Sequence, residues 1–187
     1  EQTVNFYAGL SKSFGEKLSA DVSLAAEQYH TDMWNEWNLY PVANLTYLPA
    51  SGHILQFSLS SDKEYPEYWS MQNSTSYMGA YSEIQGNPFL KPATNYETTL
   101  SYILKGKYVL SAYYSRTKNK EMQTLYQSPE RLVEIYKCFN FDFSEQAGLV
   151  MVVPFKVKKW LDSRVTAIGF RYRQKDSDFW DIPFDRK

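Results

Sequence analysis

The segment LSADVSLAAEQ, residues 18–28, alternates apolar and polar side chains almost one by one. One set of alternate positions holds Leu18, Ala20, Val22, Leu24 and Ala26. The intervening positions are mostly Ser, Asp and Glu. A period of two places successive side chains on opposite faces of an extended chain. The segment therefore predicts a β-strand with one apolar and one polar face.

The same period recurs along the chain, at residues 3–14, 43–47, 53–62, 94–104 and 108–114. No window shows a convincing amphipathic helix, and we predict an all-β, antiparallel up-and-down meander of about eight strands. Short turns are expected at 15–17, 49–52, 105–107 and 156–159, and longer links at 31–37, 63–93 and 118–134. Alternating short and long links fit two architectures, a transmembrane β-barrel or a soluble up-and-down barrel.

The composition of the polar faces favours the membrane barrel. These faces carry mainly Ser, Thr, Asn and Gln, whereas lysine is largely confined to turns and loops. A soluble barrel exposes its polar face to bulk water and commonly covers it with Lys and Glu. Small uncharged side chains suit the wall of a wet lumen better. The alternative is a soluble, eight-strand, lipocalin-like barrel that binds a small ligand.

Charge and composition narrow the function further. The 187 residues carry 20 basic and 21 acidic side chains, so no basic field is available to attract nucleic acid. We expect a single β-barrel segment over residues 1–187, with any signal peptide outside it. The aromatic fraction is 17%, with 16 Tyr, which indicates many rings that keep one end in water.

Candidates for catalysis or metal binding are few. His30 and His53 are the only histidines, and neither has a partner at metal-ligand spacing. Cys138, the single cysteine, lies among aromatic residues, where we expect a small buried hydrophobic side chain rather than a nucleophile. The sequence therefore predicts no enzyme, no cofactor and no metal site.

The motif Gly86-Asn87-Pro88-Phe89-Leu90-Lys91-Pro92 carries a family resemblance. It resembles the GNP-x-LKP-E signature of the outer-membrane β-barrel family of TonB-dependent-receptor-like proteins, common in Bacteroidetes. Segments 38–47, 53–60 and 65–69 resemble neighbouring elements of that family, and the likeness extends over most of the chain. Two positions depart from the pattern, where Tyr65 replaces an Arg and Ala93 replaces an acid.

The resemblance implies part of a larger barrel in the bacterial outer membrane that binds and takes up a nutrient. It also implies partners: the remaining strands and plug of the same receptor, TonB acting through the plug, and lipid or lipopolysaccharide around the barrel. A surface lipoprotein and an unidentified nutrient ligand complete that set. The plug and the signal peptide are expected to lie outside these residues.

The long link 63–93 is the candidate ligand site. Its aromatic side chains are interspersed with amides and hydroxyls, a mixture that suits sugar-like or peptide-like ligands. Links of this length are usually functional or disordered. The candidate ligand-binding residues are Tyr65, Tyr68, Trp69, Tyr77 and Tyr81. The alternative is a packed loop whose rings belong to an aromatic girdle.

Overall fold

The structure, a computed structural model, describes residues 2–158 and 160–187. The described residues form eleven strands and one short helix. In chain order these are β1 (Gln2–Phe14), β2 (Leu18–His30), β3 (Asn35–Tyr47), β4 (His53–Glu64), α1 (Tyr68–Met71), β5 (Thr75–Gly79), β6 (Ser82–Gln85), β7 (Ala93–Leu104), β8 (Tyr108–Gln127), β9 (Glu134–Val157), β10 (Leu161–Phe179) and β11 (Ile182–Arg186).

The strands form one sheet in the order β1-β2-β3-β4-β7-β8-β9-β10-β11, with β1 and β11 at its two ends. This order confirms the predicted up-and-down meander. Two features differ from the prediction. There are eleven strands rather than about eight, and β6, which pairs with β5, also forms a parallel ladder with β9. The extra strands β5, β6 and β11 have only four or five residues each, too short to show a period of their own.

The predicted alternation of short and long links is correct only in part. The link expected at 31–37 shrinks to 31–34, because β3 already begins at Asn35. The link expected at 118–134 shrinks to 128–133, because β8 continues to Gln127. In both places the polar sequence conceals a strand that is held by ladder hydrogen bonds rather than by an apolar face. The link 63–93 is long, as predicted, and contains α1, β5 and β6.

The chain divides into two compact units, and five of the strands, β4, β7, β8, β9 and β10, contribute residues to both. Unit 1 comprises Glu1–Asp62, Tyr96–Ser115 and Gln146–Tyr172. Unit 2 comprises Lys63–Asn95, Arg116–Glu145 and Arg173–Lys187.

In unit 1 the strand register collects the apolar side chains on one face. Two rows of cross-strand partners run over all four strands from β1 to β4. These rows are Leu10, Val22, Ala43 and Leu59, and Phe14, Leu18, Tyr47 and Leu55. The opposite face has polar rows, among them Ser11, Asp21, Asn44 and Ser58. The alternation of each strand is therefore carried across the sheet as two continuous bands.

The apolar band of unit 1 is open to its surroundings. Leu10 is 73% exposed and Leu39 is 64% exposed. The polar face contains hydrogen-bonded side chains: the Tyr40 hydroxyl donates to Glu27 Oε1 at 2.9 Å, and Gln146 Nε2 donates to the Tyr113 hydroxyl at 3.1 Å. Among the described residues, the buried hydrophobic side chains all belong to unit 2; they are Met71, Leu90, Ala93, Ile135, Cys138 and Phe141. Unit 1 thus leaves its apolar face exposed.

No helix among residues 2–158 and 160–187 is both long enough and apolar enough to cross a membrane.

Candidate ligand site

The loop between β4 and β7 belongs to unit 2 and begins with the short helix α1. Ser70 anchors the helix, since its hydroxyl donates to the Glu67 carbonyl oxygen at 2.8 Å. Ser70 and Met71 are buried, whereas Tyr68 and Trp69 on the same turn are exposed. The helix therefore presents two adjacent aromatic rings at the surface of the loop.

The Gly-Asn-Pro part of the motif closes this loop onto the sheet. A Cβ atom at Gly86 would lie 1.7 Å from the Gln72 carbonyl oxygen, so only glycine fits. Asn87 is buried; its Nδ2 donates to the Cys138 carbonyl oxygen at 2.8 Å, and its Oδ1 accepts from Phe89 N at 3.1 Å. Asn87 N also donates to the Ser70 carbonyl oxygen at 2.6 Å. One side chain thus joins the motif to β9, while its backbone joins the motif to α1.

The Leu-Lys-Pro part of the motif is held by Asn140 of β9. Asn140 Oδ1 accepts from Lys91 N at 2.7 Å, and Asn140 Nδ2 donates to the Lys91 carbonyl oxygen at 2.8 Å. The same Nδ2 donates to the Asn119 carbonyl oxygen on β8, also at 2.8 Å. Leu90 is buried beside these contacts, whereas Phe89, at the variable position of the motif, is 84% exposed. The motif is therefore a structural latch in which Asn87, Leu90 and Pro92 are buried, whereas Phe89 and Lys91 are exposed.

A buried ion pair fixes the hairpin β5–β6. Glu83 on β6 is only 2% exposed, and its Oε1 accepts from Arg131 NH2 at 2.9 Å and from Gln85 Nε2 at 2.8 Å. Arg131 lies in the 128–133 link, so the pair ties that link to the hairpin. A carboxylate buried to this extent is stable only with such partners.

A cavity of about 300 Å³ lies in unit 2. Two of the predicted aromatic residues, Tyr65 and Trp69, line it. The other lining residues are Glu64, Glu67, Lys120, Glu121, Gln123 and Cys138. Ring faces, carboxylates, an amide and an ammonium group therefore meet at one place, a combination that can bind an organic ligand by stacking and charged hydrogen bonds.

The cavity lining carries more negative than positive charge. Lys120 Nζ lies 3.7 Å from Glu64 Oε2, and both side chains are substantially exposed, which makes this a weak surface pair. The Trp69 indole N–H donates to the Glu67 carboxylate, which fixes the ring orientation. Burial, followed by the neighbouring Glu121 carboxylate, raises the pKa of Cys138 to about 12. The thiol therefore stays protonated near neutral pH, consistent with its predicted role as a buried side chain.

The other predicted site residues lie elsewhere in unit 2. Tyr77 and Tyr81 belong to the β5–β6 hairpin and its turn, and they are 76% and 63% exposed. Tyr68 is exposed on α1 and does not line the cavity. The structure thus brings together two of the five aromatic side chains.

Sequence reasoning missed the charged and amide side chains that line the cavity. Lys120, Glu121 and Gln123 fall in a segment that we predicted to be a link, whereas they lie on β8. Glu64 and Glu67 flank the predicted aromatic residues and could have been found from that adjacency.

His53 takes part in hydrogen bonds within the sheet. His53 Nδ1 lies 2.7 Å from the Tyr102 hydroxyl, and His53 N donates to the Ala50 carbonyl oxygen at 3.0 Å, across the β3–β4 turn. Within the described part of the chain, no three His, Cys, Asp or Glu side chains are grouped so that they could hold a metal ion.

Comparison with known proteins places this fold. The model of the outer membrane protein beta-barrel family matches residues 1–185. The siderophore receptor PirA from Pseudomonas aeruginosa superimposes with a TM-score of 0.74 at 10% identity, over 95% of this chain and 37% of that chain. The Q482A mutant of the ferric enterobactin receptor PfeA from the same organism, bound to enterobactin, superimposes with a TM-score of 0.64 at 16% identity. The match covers 98% of this chain and 32% of that chain.

A third solved structure has a similar fold. The FrpB iron transporter from Neisseria meningitidis gives a TM-score of 0.56 at 13% identity, over 92% of this chain and 26% of that chain. No curated protein matches the chain. The chain spans about a third of the length of PirA and PfeA. At these identities the likeness establishes a shared barrel fold. The family match confirms the predicted bacterial outer-membrane location and sets aside the soluble lipocalin-like alternative.

Proposed function

Because the chain belongs to the outer membrane protein β-barrel family, we propose that it forms part of the wall of a TonB-dependent-receptor-like transporter. The transporter binds a nutrient and takes it up across the outer membrane. The observation that carries this proposal is the orientation of unit 1, whose continuous apolar band is exposed while its other face is polar and hydrogen-bonded. That arrangement suits a wall between lipid and a wet lumen.

The dimensions of the band agree with a membrane wall. On β3 the apolar face extends from Trp37 to Tyr47, ten residue steps, with aromatic side chains at both ends. At about 3.3 Å per residue the band measures about 33 Å along the strand. A strand tilt of about 40° reduces this to about 25 Å, the height of the lipid-facing band in outer-membrane barrels. The terminal Trp and Tyr fit the two aromatic girdles.

Ligand contact is assigned in this proposal to unit 2. Outer-membrane barrels have short turns on the periplasmic side and long loops outside, and the long link 63–93 belongs to unit 2. Tyr65 and Trp69 are the primary contacts because they line the cavity. Tyr68, Tyr77 and Tyr81 are proposed as outer contacts, since their rings are exposed on the same unit.

The lining favours a ligand with a cationic or neutral polar group. Three carboxylates, those of Glu64, Glu67 and Glu121, are opposed by the single ammonium group of Lys120. An amine or guanidinium group can pair with these carboxylates and lie over the Trp69 ring. A multiply anionic ligand would be repelled. PirA is a siderophore receptor and PfeA is a ferric enterobactin receptor, whereas this lining is better suited to a basic peptide.

The remaining partners in this proposal follow from the resemblance. They are the other strands and the plug of the same receptor, TonB acting through the plug, and a surface lipoprotein at the outer loops. The finer assignment to a Bacteroidetes-type receptor rests on the Gly-Asn-Pro motif.

The test is ligand binding by the full-length protein in detergent, titrated with trilysine, maltotriose and ferric enterobactin and monitored by calorimetry. We expect trilysine to bind with a Kd that rises at least about tenfold in Trp69→Ala, corresponding to about 1.4 kcal/mol. Glu121→Gln should weaken trilysine binding and leave maltotriose binding unchanged.

Phe89→Ala is the matched control, because Phe89 is an exposed aromatic residue of the same loop outside the cavity lining. It should leave the affinity unchanged. Binding of ferric enterobactin alone, or of none of the three probes, would overturn the assignment of the cavity to a cationic ligand. Equal losses in Trp69→Ala and Phe89→Ala would overturn its assignment to this cavity.

A further inference from the structure

The short turns of unit 1 carry a concentration of lysine side chains. Among the described residues, these turns and the strand ends beside them hold Lys12, Lys17, Lys105, Lys107, Lys156 and Lys158. All six side chains belong to exposed residues. Only two acids, Glu16 and Asp162, accompany them in this described set. This set, called the lysine rim below, has a net charge of 6 − 2 = +4, in a chain whose total is −1.

The turns that carry the rim are neighbours in space. Leu48 N, next to the β3–β4 turn, donates to the Lys17 carbonyl oxygen at 2.7 Å. Lys105 N donates to the Gly52 carbonyl oxygen, which joins the β3–β4 and β7–β8 turns. These two bonds join the turns that carry Lys17, Lys105 and Lys107 into one edge of unit 1, and the strand order β7-β8-β9-β10 places the turn with Lys156 and Lys158 farther along the sheet.

Two of the lysines occupy backbone conformations that disfavour a side chain. Lys105 has φ 52° and Lys158 has φ 57°, the left-handed region in which glycine and asparagine are preferred. In the β7–β8 turn, Lys107 N donates to the Leu104 carbonyl oxygen at 3.0 Å, and both central residues, Lys105 and Gly106, have positive φ. Local folding would favour Asn at such a position, so the ammonium group must contribute something else.

The rim adjoins the apolar band. By strand alternation Lys12 shares the apolar face of β1 with Leu10 and Phe14, and its Nζ lies 5.0 Å from the centre of the Phe14 ring. A lysine in this position extends its ammonium group past the aromatic girdle toward the head-group layer. Lys156 is paired with Asp162 at 3.2 Å, and both side chains are more than two-thirds exposed. That pair leaves most of the positive charge available.

We propose that the lysine rim binds the phosphate groups of anionic phospholipids in the membrane leaflet on the short-turn side, with phosphatidylglycerol as the model ligand. Positive charge beside an exposed apolar band matches a lipid that has an acyl chain and an anionic head group. Each lysine near an anionic membrane surface contributes about 1 kcal/mol, a factor of about five in binding. The proposal depends on the membrane location of unit 1 and is independent of the nutrient.

The test uses the full-length protein reconstituted in phosphatidylcholine bilayers with trace spin-labelled phosphatidylglycerol or phosphatidylcholine. Electron paramagnetic resonance gives the relative association constant of the two lipids at the protein surface. We expect a preference of at least about fivefold for phosphatidylglycerol at low salt. The triple variant Lys17→Gln, Lys107→Gln and Lys158→Gln should bring this preference close to one.

The matched control is Lys91→Gln, Lys175→Gln and Lys187→Gln, which removes the same charge from unit 2. It should retain the preference. If both triple variants lose the phosphatidylglycerol preference equally, the preference depends on net charge alone, and the assignment to the lysine rim is overturned. A wild-type protein without a preference for phosphatidylglycerol would also overturn it and would assign the rim to another periplasmic partner.

A salt titration of the wild-type protein keeps the proposal testable if the rim variant does not fold. Contacts between exposed charges are screened at high ionic strength. The phosphatidylglycerol preference should therefore fall toward one between low salt and about 0.5 M NaCl. A preference that is unchanged by salt would exclude head-group pairing by these lysines.

Discussion

At the scale of single residues, Asn87 shows how one polar side chain can hold a long loop. Its amide both donates to β9 and accepts from the backbone two residues ahead, so neither end of the group is left unpaired in the buried site. A buried polar group that loses its partner costs about 1–3 kcal/mol. The sequence pattern revealed this motif, but only the structure shows that its role is to fix the loop that carries Tyr65 and Trp69.

Asn87→Ala should destabilise the loop 63–93 by about 1–3 kcal/mol, because it leaves the Cys138 carbonyl oxygen and Phe89 N without their partner. Hydrogen exchange of the full-length protein should show faster exchange across this loop. Phe89→Ala, at an exposed position of the same motif, should change the free energy of opening measured by hydrogen exchange by less than about 0.5 kcal/mol. If both variants behave alike, the latch role of Asn87 is wrong.

Arg131→Ala tests the buried ion pair. The substitution leaves the Glu83 carboxylate buried, with the hydrogen bond from Gln85 but without the guanidinium group. We expect a loss of about 2 kcal/mol, a reduced figure because Arg131 itself is half exposed. Hydrogen exchange in β6 and in the 128–133 link reports the loss.

The double variant with Glu83→Gln should recover part of this stability, because the buried group is then neutral. Glu130→Ala, an exposed acid in the same link, is the control and should have little effect. No difference between Arg131→Ala and Glu130→Ala would show that the ion pair does not stabilise the hairpin.

At the scale of elements, the sequence predicted those strands whose two faces differ in polarity. The strands β2 and β4 were found because apolar side chains recur at every second position, from Leu18 to Ala26 in β2 and from Leu55 to Leu59 in β4. The second half of β8, from Ser115 to Gln127, was missed because most of its side chains are polar on both faces, and a period of two is then not visible in the sequence. The same limit explains why only part of the cavity lining was predicted. Aromatic residues in a long link were recognisable, whereas Glu121 and Lys120 meet them only through strand pairing.

The hairpin β10–β11 is held in a pH-dependent way. Arg173 Nε donates to Asp185 Oδ1 at 3.0 Å and Arg173 NH2 donates to Oδ2 at 2.7 Å. The hydrogen bond from the guanidinium group lowers the pKa of Asp185, and the same bond raises the pKa of Arg173. The carboxylate is thus favoured in the folded hairpin. This contribution is fully present above the ordinary Asp pKa and disappears as the pH falls through the lowered pKa.

We therefore expect the pairing of β11 with β10 to be unchanged near neutral pH and to weaken only as the pH falls below about 4, the ordinary range of the Asp carboxyl pKa. Hydrogen exchange of residues 182–186, corrected for intrinsic rates, measures the opening. Asp185→Asn should make the exchange of β11 less dependent on pH and faster at pH 7. An unchanged pH profile in Asp185→Asn would mean that another group controls the hairpin.

At the scale of the whole molecule, the proposed membrane wall depends on the exposed apolar face of unit 1. Val22 lies in the central apolar row, and it is 53% exposed. Ser23, the next residue, lies on the opposite face beside a groove of about 380 Å³ that Asp21 and Asn44 also line. Two adjacent positions of one strand thus lie on the apolar and the polar face, which the proposed barrel wall turns toward lipid and lumen, and they provide a matched pair for substitution.

Val22→Lys should reduce the stability of the folded protein in vesicles by about 2–4 kcal/mol, because it places a charge at the middle of the lipid-facing band. Ser23→Lys should cost less than about 1 kcal/mol, because the new ammonium group lies on the face of β2 that also carries the Asp21 carboxylate. Val22→Phe should be tolerated, since acyl chains adapt to a larger apolar side chain, whereas a packed interior would lose about 1–3 kcal/mol.

Equilibrium unfolding of the full-length protein from phosphatidylcholine vesicles, followed by heat-modifiable migration, measures all three. Equal losses for Val22→Lys and Ser23→Lys would contradict the assignment of the two faces, and a large loss for Val22→Phe would mean that the apolar band packs against protein rather than lipid.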